Sequence, residues 1–225
     1  MLFTVARSCY KGEMPKVIDP DQRKDAIADA LFEVLREGGL EAVTLGSVAA
    51  RAGLAIGSVR HFLGSRDAMV TFAFATMAAR TYQRVAARAE AVLAELDDGA
   101  PEAAERRLIA TADVLCELLP LDEARLGEAI VWVEFEAAAR TRHHLAETSK
   151  HAAEQTTRLI ETILTAAADH GRLTPGADLP TETARLSALI DGLTLRTALH
   201  PDLLDPDVAR QVVITHLRAL SATTG

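Results

Sequence analysis

The sequence is short of cysteine, of aromatic residues and of long apolar runs, and each shortage removes a class of protein. Cys9 and Cys116 are the only cysteines, so neither a disulfide framework nor a cysteine metal motif is available and a reduced, cytoplasmic setting is expected. Aromatic residues make up 4% of a chain that is 49% hydrophobic. A core built from Ala, Leu and Val suits closely packed helices better than a β-sandwich. No stretch approaches the roughly 18 apolar residues of a membrane span, and MLFTVARSCY is too short and too polar after Val5 for a signal peptide. A membrane partner is therefore not expected. A glycine-rich phosphate loop, a nucleophile elbow and an HExxH pair are missing too, which removes the common footings for an enzyme or a cofactor. His144, Glu147 and His151 share a helical face, but no cysteine or second acidic helix can be placed beside them, so no metal is expected.

Acid is the most telling local absence. The chain carries a formal net charge of -8, yet Thr44 to Arg66 (TLGSVAARAGLAIGSVRHFLGSR) contains three arginines, one histidine and no acid. A basic island on an acidic protein points to an anionic partner held at one place, and duplex DNA is the expected one.

Helical spacing dominates what is present. Residues 1–20 show no period and read as a flexible N-terminal extension, with Arg7, Lys11 and Lys16 able to touch DNA and Met14 an alternative start. Ile27, Leu31, Val34 and Leu35 form one apolar face, which Gly38-Gly39 is expected to stop. Thr44 caps a short helix with Leu45, Val48, Ala49 and Ala52 inside, and Gly53 follows where a reversing chain requires positive φ. A third helix over 56–63 buries Val59 and Phe62, and Ser65 opens a much longer one at Arg66.

This spacing describes a helix-turn-helix unit whose second short helix is slim enough for a major groove about 12 Å wide. The expected DNA contacts are Thr44, Gly57, Ser58, Arg60, His61 and Arg66. Gly57 permits close backbone approach, Ser58 donates a hydroxyl, Arg60 and His61 reach phosphate or base edges, and Thr44 and Arg66 flank the unit. Gly57 as relief of helix crowding, Ser58 as a surface cap and Arg51 as a salt-bridged surface residue are the competing structural readings.

The stretch Thr44, Val48, Ala49, Ala52, Gly53, Gly57, Ser58, Val59, Arg60, His61, Phe62, Ser65 and Arg66 resembles the head of the TetR/AcrR family of transcriptional regulators. SVRHF, WVEFEAAAR from Trp132 and LIDGLTLRTAL from Leu189 are similar to its BetI-like branch. Three positions depart from the family pattern: Arg60 stands for a frequent tyrosine, Arg66 for a lysine, and Ala55 for a capping Ser or Thr. A lost cap costs about 1 kcal/mol. The resemblance implies an all-α fold with a three-helix head over 21–66 and a larger effector-binding and dimerisation domain over 67–225. It also implies a homodimeric repressor of a roughly palindromic operator, switched by a small molecule. A helical protein-binding adaptor is the alternative.

The body reads as further helices. One runs from Asp67 to the Asp97-Asp98-Gly99 break, one from Pro101 to Pro120, one over 122–142, one over 145–170, one from Ala184 to Leu199 and one over 207–219, capped by Asp205. Met77, Asp113, Cys116, Trp132 and Phe135 are the expected ligand residues. Trp132 is the only tryptophan, so it offers one wall and no aromatic cage for a quaternary ammonium ion. The last two helices look apolar around more than one side, so Leu186, Leu189, Leu193, Val208, Val212, Val213 and Leu217 are expected at a two-fold helical interface.

Overall fold

The computed structural model describes residues 20–95 and 103–222. The expected extension, the Asp97-Asp98-Gly99 break and the Pro101 start lie outside the described residues, Pro20 excepted. The architecture is all-α. In chain order the helices are α1 (Pro20–Ala42), α2 (Leu45–Ala52), α3 (Ile56–Leu63), α4 (Arg66–Glu95), α5 (Ala103–Cys116), α6 (Glu123–Ala139), α7 (His143–Asp169), α8 (Leu179–Leu199) and α9 (Pro206–Leu220).

Local chemistry fixes the head. α1 buries Ile27, Leu31, Val34 and Leu35, but the helix kinks at Gly39 (φ 62) and resumes to Ala42 instead of stopping. Thr44 and Ser47 form a reciprocal capping box, with Thr44 Oγ1 accepting from Ser47 N–H at 3.0 Å and Ser47 Oγ from Thr44 N–H at 3.0 Å. This satisfies two donors that would otherwise be orphaned at the start of α2. Gly53 turns the chain at φ 65 and donates back to α2 carbonyls. α3 begins at Ala55 without a side-chain cap, so its hold on the head rests on the fully buried Val59 and on Phe62, which packs against the same core.

The body is organised by caps and prolines. Ser65 Oγ accepts from Ala68 N–H at 3.1 Å at the head of α4, and Asp122 and Asp205 accept from backbone N–H groups at the starts of α6 and α9. α5 ends at Cys116, before the expected Pro120, because a residue preceding proline is steered out of helical geometry and the chain tightens into a turn first. α8 begins at Leu179, five residues before the expected Ala184. Asp178 caps it and Pro180 sits in its first turn, a favoured start because that N–H has no helical partner anyway.

Two cores result. The first joins head and body: Leu31, Val48 and Val59 pack with Met69 and Phe74 of α4, Phe135 of α6 and Leu145 of α7. Phe74 and Phe135 stack at 3.8 Å between centroids, 13° from parallel. The second lies deeper in the body, where Leu115, Ile160, Leu164, Leu186, Val213 and Leu217 meet from α5, α7, α8 and α9. No helix among the described residues is long and apolar enough to cross a membrane.

Candidate DNA-reading face and ligand cavity

The outer face of α3 carries Ile56, Gly57, Arg60 and His61 exposed, with Ser58 half-buried beside them. Arg60 has no ion pair among the described residues, whereas Arg51 is bound to Glu33 at 2.8 Å and Glu37 at 2.5 Å. The salt-bridged surface reading of Arg51 therefore describes its place. A Cβ built on Gly57 would meet nothing within 4 Å and its φ is ordinary, so neither helix crowding nor backbone strain explains the glycine. Ile56, 50% exposed, was not singled out by the sequence reading. Its position as the first residue of an outward-facing helix was the available signal.

Arg66 is placed differently from expectation. Its guanidinium donates to the Leu40 carbonyl and pairs with Glu41 at 3.1 Å, so the side chain turns inward and fastens α4 to the end of α1. A fork geometry suits this use because it serves a carbonyl and a carboxylate together. Further ties hold head to body. Glu134 of α6 accepts from Leu40 N–H at 3.4 Å beside the Gly39 kink. Asp67 pairs with Arg142 at 3.3 Å and His144 at 3.1 Å, and Arg80 of α4 reaches Asp29 of α1 at 2.7 Å.

Between α4, α6, α7 and α8 lies a cavity of about 260 Å³. Met77 and Trp132 line it, together with Phe74, Val85, Leu119 and Ile190. The other three expected ligand residues do not. Phe135 is committed to its stack on Phe74. Asp113 is held by Arg88 at 2.9 Å and Arg210 at 2.6 Å, tying α5 to α4 and α9. Cys116 is buried in the second core, where burial pushes its thiol up to about 11, so it stays a neutral packing group at ordinary pH. Spacing along α5 and α6 showed that these residues face inward, but not which inward surface was hollow. The cavity's charged lining, Arg84, Arg125, Glu117, Glu128, Glu136 and Asp191, was missed because ion pairs across helices leave no local pattern.

The expected two-fold surface also divides. Leu186, Leu193, Val213 and Leu217 fill the chain's own second core, Leu189 and Val212 are half-buried against it, and Val208 stands exposed. Each helix has an inner and an outer apolar stripe, and four of the expected residues belong to the inner one. The large apolar side chains left exposed in this part of the chain are Leu195 and Leu199 of α8, Leu203 of the short turn Pro201–Leu203 and Val208 of α9.

This geometry, an exposed short helix on a three-helix head over a hollow helical body, has clear counterparts among known proteins. A family model described as the C-terminal part of a BetI-type transcriptional repressor matches residues 110–222. The regulator BetI of Paraburkholderia phymatum is 30% identical over 220 residues, covering 93% of this chain and 98% of that protein. The regulator PksA of Bacillus subtilis is 28% identical over 210 residues, covering 92% and 94%. A crystal structure of a transcriptional regulator from Rhodococcus sp. Rha1 aligns at a TM-score of 0.69 with 30% identity, covering 90% of this chain and 99% of that one. With its C-terminal half inside that model and a BetI relative matched almost end to end, the chain belongs to the TetR family of transcriptional regulators, in its BetI-type branch.

Proposed function

We propose that this regulator, a DNA-binding protein with a ligand-responsive C-terminal domain, works as a homodimeric repressor of a roughly palindromic operator. The observation that carries the reading is the exposed outer face of α3: Gly57, Arg60 and His61 are presented to solvent on a helix anchored from behind by Val59. Ser58 and the helix start at Thr44 flank that face. Arg60 supplies the main cation for phosphate or a guanine edge, and Ile56 meets a thymine methyl or a sugar. Arg66 braces the head instead of touching DNA. Two such heads related by a two-fold axis read two half-sites, since a single module buries too little for tight selection.

The switch follows from shared helices. α4 lines the cavity with Phe74 and Met77 and carries Arg66 and Asp67 at the head, while α6 lines it with Trp132 and touches α1 through Glu134. A ligand that fits one spacing of α4 and α6 better than another changes the separation of the heads by differential affinity alone. A body domain of 67–225 in this sense is an effector domain whose first core is shared with the head.

Arg60→Ala tests the reading. Gel-shift titration should show operator affinity weakened by about 1–3 kcal/mol and the salt slope reduced by about 1, with unfolding and subunit mass unaltered because Arg60 supports nothing inside the chain. Unchanged affinity contradicts the assigned role of α3.

A further inference from the structure

The charges lining the cavity do not balance. Two arginines, Arg84 and Arg125, face four carboxylates, Glu117, Glu128, Glu136 and Asp191. Both arginines are neutralised from within: Arg84 donates to the two oxygens of Glu128 at 2.9 and 2.7 Å, and Arg125 pairs with Glu117 at 3.2 Å and Asp122 at 2.7 Å. Glu136 and Asp191 have no ion pair among the described residues. Glu136 accepts a hydrogen bond from Ser149 Oγ at 2.8 Å, and Asp191 accepts none.

A hydroxyl beside them is also unmet. Ser187, Asp191 and Thr194 fall four and three residues apart, on one face of α8, and all three line the cavity. The Ser187 hydroxyl is buried without a partner. Thr194, two turns further along α8 than Ser187, is 8% exposed. A buried polar group without a partner costs free energy. One such hydroxyl, that of Ser187, next to two carboxylates without a cation makes a polar corner that the chain itself leaves incomplete. Partial loss of water and the neighbouring Glu136 charge raise the pKa of Asp191, as expected of a carboxylate lacking a cation. The lining also holds apolar side chains, among them Met77 and the indole of Trp132, one turn from Glu136 on α6.

We propose that the ligand of this cavity is a compact protonated amine on an apolar body, its three ammonium N–H groups donating to Glu136, Asp191 and Ser187 and its body resting on Trp132 and Met77. The proposal rests on the cavity being the effector site. The same corner repels a carboxylate or phosphate. A neutral ligand leaves the two carboxylates uncompensated. A quaternary ammonium ion brings charge but no N–H donor, so the Ser187 hydroxyl stays unpaired. A volume of about 260 Å³, at the small end of ligand pockets, keeps the body short.

Trp132, as the only tryptophan, reports occupancy through its fluorescence. Four probes of matched shape are titrated into the full-length protein: phenylbutylamine, its trimethylammonium derivative, phenylbutanol and phenylvalerate. The amine should bind at least about tenfold more tightly than the other three, and Glu136→Gln and Asp191→Asn should each weaken it about tenfold while changing phenylbutanol by less than about twofold. Equal or tighter binding of any other probe overturns the proposal, as do an amine affinity insensitive to both substitutions and binding of no probe at all. DNA affinity is scored separately. Amine binding without any effect on operator affinity contradicts the effector-site reading and leaves the ligand class standing. Release of DNA by the alcohol or the carboxylate instead supports the effector site and overturns the amine.

Discussion

Phe135→Ala should lower folding stability by about 3–5 kcal/mol, the cost of a large buried aromatic plus the cavity left behind. Phe135 is 1% exposed and lies flat on Phe74, which itself forms part of the cavity wall. It is also where the head core of α1 to α3 joins α4 and α6. Removing the ring takes away one partner of the stack and opens a void that helices braced by Glu134 and Arg66 cannot close without shifting the head. Phe135→Leu should cost less, about 1–2 kcal/mol, because it restores much of the volume. Urea unfolding at one fixed protein concentration, followed by Trp132 fluorescence, measures both, with the m-value checked for constancy. A loss below about 1 kcal/mol for the alanine variant would mean that head and body do not share this core.

The second large effect is expected on the outer stripe of α8. Leu195 is 42% exposed and Leu199, one turn on, 54% exposed, and Leu203 and Val208 are exposed as well. Exposed large apolar side chains on one helical face suit association, and a two-fold contact would cover them with a second copy. The double substitution Leu195→Glu and Leu199→Glu places like charges opposite each other across that axis. Sedimentation at micromolar concentration should then show monomers, and operator affinity should fall by more than about 100-fold, or roughly 3 kcal/mol. The fold should persist, since neither side chain belongs to the second core. Leu193→Glu is a poor probe of the same contact: Leu193 is in that core, so the charge would be buried and the protein itself would unfold. A double variant that remains dimeric places the subunit contact elsewhere.

The head was legible because its signals are local. Thr44 as a cap, Gly53 at positive φ, Val59 inside and Arg60 outside each depend on neighbours a few residues away. Ser47 completed a box that spacing alone did not reveal. Features set by distant residues were not readable. Arg66 turns toward Leu40 and Glu41, over 20 residues earlier, and nothing beside it in the chain says so. Asp113 and Cys116 lie on the inward side of α5, but contact with α9 instead of the cavity is decided by tertiary packing. On α8 two apolar stripes overlap in sequence, Leu186, Ile190 and Leu193 on one and Leu195 and Leu199 on the other. Periodicity identifies both without saying which the chain keeps for itself. The start of α8 was missed because Asp178 and Pro180 sit in a stretch rich in turn residues, where cap and loop look alike.

In the proposed function, paired α3 helices read a two-fold symmetric DNA site. Selection of bound duplexes from a random pool by the purified full-length protein, followed by sequencing, tests it most directly. An inverted repeat with half-site centres about one helical turn or a small multiple apart should be enriched, and the Arg60→Ala variant should lose that enrichment. Recovery of no common motif, or of the same motif by Arg60→Ala, would contradict it.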